Sequence, residues 1–215
     1  QEPGMAVYDL EEQENIESLK AWWQQYGRLV IAAAVAFVLG VGGVQGWRWY
    51  QGEQAMKAAT AFGEFEDALK VGDAAKVESL AQKLRAEFAA STYAPRASLL
   101  AAKLEAEKGA RDKAVEQLRW AAANTKDPSL AALANLRLSA VLLDLGKHDE
   151  ALQVVSTPPS EGFAALFADA RGDVYMAQGK NKEAADAYQV ALDKLPKSAA
   201  YRNVVEIKRD SLGVQ

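Results

Sequence analysis

ALFADARGDVYMAQGKNKEAADAYQVALDKLP, residues 165–196, decides the fold. Its first half, Ala165 to Gln178, is dominated by helix formers and lacks the apolar–polar alternation of a strand. Gly179, Lys180 and Asn181 interrupt it, and a second helical stretch follows until Pro196, which cannot continue a helix. Gly172 and Ala184 carry almost no side chain, so the two helix backbones can close up. Tyr188 fills the space beside them, and Ala191 keeps room for the next hairpin.

The same design recurs upstream. Gly72, Gly109, Gly146 and Gly179 are separated by 37, 37 and 33 residues, and each opens a similar phrase: GDAAKV, GARDKAV, GKHDEAL and GKNKEAA. Leu138, Ser139, Leu142, Ala151 and Val155 mark the preceding unit, and Ala102, Ala114, Leu118 and Ala121 the one before. Val77 and Leu84 mark a degenerate first unit. A period of this size, with G-x2-Y followed by A-x3-Y-x2-A-x4-P, is the tetratricopeptide (TPR) pattern of stacked helical hairpins. One hairpin cannot bury its apolar face alone, so several must stack. The final stretch SAAYRNVVEIKRDSL places Tyr201, Val204, Val205, Ile207 and Leu212 along one side and reads as a cap helix. Thr157-Pro158-Pro159-Ser160 reads as a loop within the array. The expected fold is all-α: one N-terminal transmembrane helix, then a TPR-like α-solenoid of about four hairpins plus a C-terminal cap helix.

The transmembrane expectation rests on LVIAAAVAFVLGVGGVQGW, residues 29–47, a run of 19 without a charge. As a helix it spans roughly 28 Å, close to the ~30 Å hydrocarbon core. Trp22, Trp23 and Tyr26 precede it, and Trp47, Trp49 and Tyr50 follow it, as two headgroup belts would require. The flank before it is long and acidic, unlike that of a cleaved signal peptide, so an uncleaved signal-anchor is the better reading. Lys20 and Arg28 on one side against Arg48 and Lys57 on the other leave charge counting tied on orientation. Ala32, Ala36, Gly40 and Gly43 form a small-residue face, and Gly46 pairs with Gly42 as GxxxG, both suited to close approach of another helix. Ahead of the span, Asp9 and Glu12 read as a capping box. Ile16, Leu19, Trp23 and Tyr26 then give an amphipathic helix, either an interfacial anchor or a docking site. Gln1-Glu2-Pro3-Gly4 before Met5 reads as an added tag. The organisation expected is an acidic head at 1–28, an anchor at 29–50 and a repeat domain at 53–215.

Composition narrows the chemistry. The 215-residue chain has no cysteine, which excludes disulfide scaffolds, thiol nucleophiles and cysteine-ligated metals, and its single histidine cannot build a poly-histidine metal site. A net charge of -4 argues against nucleic acid as a partner. That charge belongs to the head, because residues 49–215 hold 22 basic and 23 acidic side chains. No GxxxxGK[ST] loop and no GxSxG elbow occurs. His148 lies in a turn and reads as a solvated group; Glu105 with Glu107, and Glu64 with Glu66, read as solvated helix faces. No enzyme activity and no cofactor is expected.

What remains is the concave face that the first helices of the hairpins would line. Projecting the pattern, its exposed candidates are Phe62, Glu66, Arg96, Leu99, Lys103, Leu136, Ala140, Asp169 and Asp173. Mixed charge with apolar patches suits an extended polypeptide better than a phosphorylated motif.

The whole arrangement resembles one family, the YfgM-like ancillary subunits of the bacterial Sec translocon. The likeness rests on Trp22-Trp23, on Gly46-Trp47-Arg48-Trp49-Tyr50, and on three landmarks in the array: Asn135-Leu136-Arg137-Leu138, Glu161-Gly162-Phe163-Ala164-Ala165 and Asp169-Ala170-Arg171-Gly172-Asp173. The resemblance covers residues 5–213, and order and spacing carry it more than any single motif. It implies a single-pass inner-membrane protein of Gram-negative bacteria, head in the cytosol and array in the periplasm. It also implies association with the SecYEG translocon, with a PpiD-type membrane-anchored periplasmic chaperone, and with secretory polypeptides as they emerge. The function expected is a non-enzymatic, membrane-anchored module assisting protein export, chaperone-like or scaffolding. The alternative is a signalling adaptor whose acidic head tethers a cytosolic stress-response regulator.

Overall fold

The computed structural model describes residues 5–213, with side chains described from Ile16 onward. Gln1 to Gly4 and the side chains of Asp9 and Glu12 therefore lie outside the described residues. The described chain forms nine α-helices and no strand. They are α1 (Met5–Lys70), α2 (Ala74–Glu87), α3 (Tyr93–Glu107), α4 (Arg111–Asn124), α5 (Pro128–Asp144), α6 (His148–Val154), α7 (Ala164–Ala177), α8 (Asn181–Lys194) and α9 (Tyr201–Asp210), with a short 3-10 turn at Glu161–Phe163. The helix expected to begin at Asp9 begins at Met5 instead, so Asp9 stands inside α1 and not at its cap.

Two units are present, Gln1–Gln54 and Ala55–Gln215. In the first, α1 carries the apolar span, and none of its most apolar 18-residue window is buried. A helix can place such a surface in a lipid core, because its backbone groups are bonded within the helix.

The second unit is the array. Each hairpin closes in the same way. Gly72, Gly109, Gly146 and Gly179 have φ of 71°, 81°, 70° and 71°, the left-handed region open to glycine. Lys147 N donates to Leu142 O (2.8 Å) and Gly146 N to Leu143 O (2.9 Å). Lys180 N to Tyr175 O (2.9 Å) and Gly179 N to Met176 O (3.0 Å) repeat the motif. This pairing satisfies the last carbonyls of one helix while reversing the chain. Helix starts are fixed by Asp73, which accepts from Lys76 N (3.1 Å), and by Asp127, which accepts from Ser129 N (2.8 Å) ahead of Pro128.

The core runs along the array as a chain of clusters. Phe62, Phe65 and Ala68 of α1 pack on Val77, Leu80 and Leu84 of α2 and on Ala94, Ala97 and Ala101 of α3. Leu99, Leu118, Leu138 and Leu142 join α3, α4 and α5, with Ala151 and Val174 beside them. Tyr188, Ala184, Ala191 and Leu192 of α8 meet Ala168 of α7 and Val205 of α9. Alanine at so many contacts lets helix backbones approach closely, and the few large side chains fill what is left. The last hairpin shows it best: a Cβ built on Gly172 would lie 2.3 Å from Tyr188 Cε1. The Pro158–Pro159 loop interrupts helix but not the unit.

α9 departs from its expected amphipathic arrangement. Val205 is fully buried, but Val204 and Ile207 are 45% and 70% exposed. The inward face of α9 is polar as well as apolar, because Lys208 points at carboxylates on α7.

Candidate functional site

The membrane unit presents the first candidate surface. Ala32, Ala36, Gly40, Gly43 and Gly46 are all exposed, and a Cβ added at Gly40, Gly43 or Gly46 would meet nothing within 4 Å. The face suits close packing of a second helix. At its ends the aromatic side chains gather: Trp22 lies 6.4 Å from Trp23 and 5.9 Å from Tyr26, and Trp47 lies 6.0 Å from Tyr50. Trp23 also folds over Gly27, whose missing side chain makes the room.

The array presents the second. Of the nine residues projected onto an exposed concave face, Glu66, Arg96, Lys103 and Ala140 are exposed and Leu136 and Asp173 half-buried. The projection is corrected at three positions. Phe62 (6% exposed) stacks on Phe65 at 5.7 Å and meets Tyr93 at 5.1 Å inside the core. Leu99 (5% exposed) joins the core shared by α3, α4 and α5, because small neighbours bring the next hairpin within its reach. Asp169 (4% exposed) lies beneath α9. The repeat pattern does not show what covers a given helix face.

The cover over Asp169 is a polar network. Tyr201 Oη donates to Asp169 Oδ2 at 2.6 Å, and Tyr188 Oη donates to Asp173 Oδ1 at 2.7 Å. Lys208 Nζ bridges both carboxylates, 3.0 Å from Asp169 Oδ2 and 2.9 Å from Asp173 Oδ2. Burial pushes both tyrosine hydroxyls well above their ordinary range, and the adjacent carboxylates push the same way, so both remain donors. For Lys208, burial opposes its charge, but the bonds to Asp173 and Asp169 outweigh burial and raise its pKa.

Sequence reasoning missed three features. Glu105 is 5% exposed, not solvated, and both its carboxylate oxygens are buried without a hydrogen-bond partner among the described residues. Burial raises its pKa, and the charge of Glu78 adds to the rise. The second is an ion-pair ladder along the second helices of successive hairpins. Lys113 reaches Glu78 (2.7 Å) and Arg85 reaches Glu116 (3.2 Å); Lys147 reaches Asp112 (3.6 Å) and Arg119 pairs with Glu150. Each member recurs 34 residues later: Glu78 and Asp112, Arg85 and Arg119, Lys113 and Lys147, Glu116 and Glu150. Aligning the chain with itself at that offset would have found it. His148, read as solvated, is half-buried with Nδ1 enclosed.

A cleft of about 350 Å³ opens where α3 and α5 begin, lined among others by Arg96, Lys126, Thr92, Asn124 and Leu130. It places Arg96 beside polar groups and the apolar side chains of Ala89, Ala90, Pro95 and Leu130, chemistry that suits a peptide backbone.

Residues 20–214 match a family model described as a tetratricopeptide repeat-like domain. Relatives align over nearly their whole lengths. The chain is 33% identical to a Neisseria gonorrhoeae protein over 204 residues, 94% of this chain and 98% of the relative. It is 32% identical to an Escherichia coli K12 protein over 212 residues, 98% and 100% of the two chains. A Haemophilus influenzae protein is 34% identical over 188 residues, 86% and 90%. Each of the three relatives bears the name ancillary SecYEG translocon subunit.

Proposed function

The chain belongs to the family of ancillary SecYEG translocon subunits, and from that premise we propose that it is a non-enzymatic, membrane-anchored protein-binding module assisting export of secretory proteins at the SecYEG translocon. The observation that carries the proposal is the coupling of an uncovered apolar span to a TPR-like array in one chain. The span fixes the protein in the inner membrane as a single-pass component. Its small-residue face, Ala32, Ala36, Gly40, Gly43 and Gly46, packs against a helix of the channel. Residues 1–28 lie in the cytoplasm and 53–215 in the periplasm, where the array meets chains leaving the channel.

Within the array, Glu66, Arg96, Lys103, Leu136 and Ala140 are the surface offered to polypeptide, either a secretory chain or a PpiD-type anchored chaperone. No bond is made or broken there: the array holds and releases. The mixed charge and scattered apolar groups of this face favour weak, sequence-tolerant contacts over a tight single motif.

The test is recovery of the full chain from membranes in mild detergent, together with photo-crosslinking from Arg96, Lys103 and Leu136 in cells. Co-recovery of the translocon and crosslinks to secreted polypeptides or to an anchored chaperone are expected. An intact chain recovered without channel subunits, and giving no crosslink from those positions, refutes the proposal.

A further inference from the structure

The last helix covers a site that the repeat pattern assigns to partners. Asp169 and Asp173 stand one turn apart on α7, and both are engaged by α9 through Lys208, with Tyr201 adding a second bond to Asp169. Arg202 of α9 donates to Leu192 O at 2.6 Å, and Arg209 to Gln189 at 2.7 Å. Only Val205 of α9 is fully buried. The helix is therefore held largely by charge-assisted hydrogen bonds. Ten residues do not sustain a helix in isolation, so α9 is helical because it is docked. The hairpin beneath is closed by other means: Tyr188 packs on Gly172, and Ala184, Ala187 and Ala191 line its interior. Residues 195–200, Leu-Pro-Lys-Ser-Ala-Ala, join the two parts.

We propose that the α7–α8 face under α9 is a docking groove for a basic amphipathic helix, with α9 as the occupant from its own chain. The occupant must be cationic. Asp169 is nearly fully enclosed, and a neutral segment would leave that carboxylate buried without a counter-charge. The chemistry of the partner is read from α9 itself: a lysine that reaches both carboxylates, an apolar residue three positions before it, and a tyrosine seven positions before it. A partner helix with those groups replaces the bonds of α9 to Asp169 and Asp173, and the array changes from capped to open. The inference rests on the reading of the array as a protein-binding module.

The experiment uses the full chain in detergent micelles and a labelled peptide with the sequence Tyr201–Leu212. Amide exchange in the unaltered chain is expected to be faster across 201–210 than across α7 and α8. In Lys208→Glu, where the resident helix is repelled, the peptide is expected to bind at least about tenfold more tightly than to the unaltered chain. A peptide carrying the same Lys208→Glu change is expected not to bind. Exchange of α9 only together with α7 and α8 overturns the proposal. So does a Lys208→Glu chain whose freed α9 leaves no peptide-binding site, or a doubled mass, which would make a second copy the occupant. If Lys208→Glu loses helical signal across the array, the exchange pattern of the unaltered chain decides alone. None of these readouts contains translocon or secreted chain, so their failure is separable from failure of the export proposal.

Discussion

Replacing Gly172 by alanine sets two effects against each other. Alanine is the better helix former by about 1 kcal/mol, and on propensity alone α7 would gain that much. The structure predicts the opposite sign. The new Cβ would lie 2.3, 2.5 and 2.8 Å from Cε1, Cδ1 and Cζ of Tyr188, distances no relaxed contact adopts. The ring is fully buried, and its hydroxyl is tied to Asp173, so it has no free direction in which to swing. Overpacking of this kind costs about 1–3 kcal/mol, and three simultaneous clashes against a tethered ring belong at the upper end. The net expectation is a loss of about 2 kcal/mol. For an array of this length that is about 4–8 °C in Tm. The assay is thermal unfolding of Ala55–Gln215 followed by circular dichroism, with Tyr188→Leu as a second background. There the ring is gone, and Gly172→Ala should become neutral or stabilising. A rise in Tm for Gly172→Ala with Tyr188 in place would refute the close-approach argument, and equal shifts in both backgrounds would refute the assignment of the clash to Tyr188.

Three further substitutions test other parts of the array. Glu105→Gln should stabilise it by about 1 kcal/mol at neutral pH, because it removes a charge that burial and Glu78 disfavour more than Gln117, Lys113 and Arg85 favour it. The raised folded pKa means the folded state binds the proton more readily, so stability of the parent rises as pH falls through that pKa. The advantage of Glu105→Gln should therefore shrink below neutral pH and vanish near the unfolded value of about 4.3; a pH-independent advantage would contradict this. Gly146→Ala and Gly63→Ala make the same chemical change with opposite outcomes. Nothing lies within 4 Å of either new Cβ. Gly146, at φ 70°, should lose about 1 kcal/mol, whereas Gly63, inside α1, should gain up to about 1 kcal/mol in denaturant titrations.

The turns and the tightest packing were legible in the chain itself. Glycine at regular intervals between helical stretches marks a backbone position that other residues enter only at a cost. Gly172, Ala184 and Tyr188 form a set of sizes that only close helix packing explains. The uncharged run at 29–47 is legible as a candidate membrane span by composition alone. Less legible was what lies on top of a given face. Periodicity shows that Phe62, Leu99 and Asp169 point away from one side of a helix, but their cover is decided by how near the next hairpin comes. For Asp169 it is decided by a lysine 39 residues further on. Glu105 was misread for the same reason: a carboxylate between charged neighbours looks solvated until α4 is laid across it.

The cross-hairpin bonds of the array also bear on how it is made. Lys113 to Glu78, Arg85 to Glu116, Lys147 to Asp112 and Arg119 to Glu150 join residues 35, 31, 35 and 31 positions apart. Every such tie is complete once one further hairpin has arrived. A chain delivered N-terminus first can thus settle in order, each newcomer seating on a neighbour already in place, with no waiting for a distant end. Maturation of this kind proceeds by accretion from the first hairpin onward, and at every stage only the most recent hairpin lacks its companion.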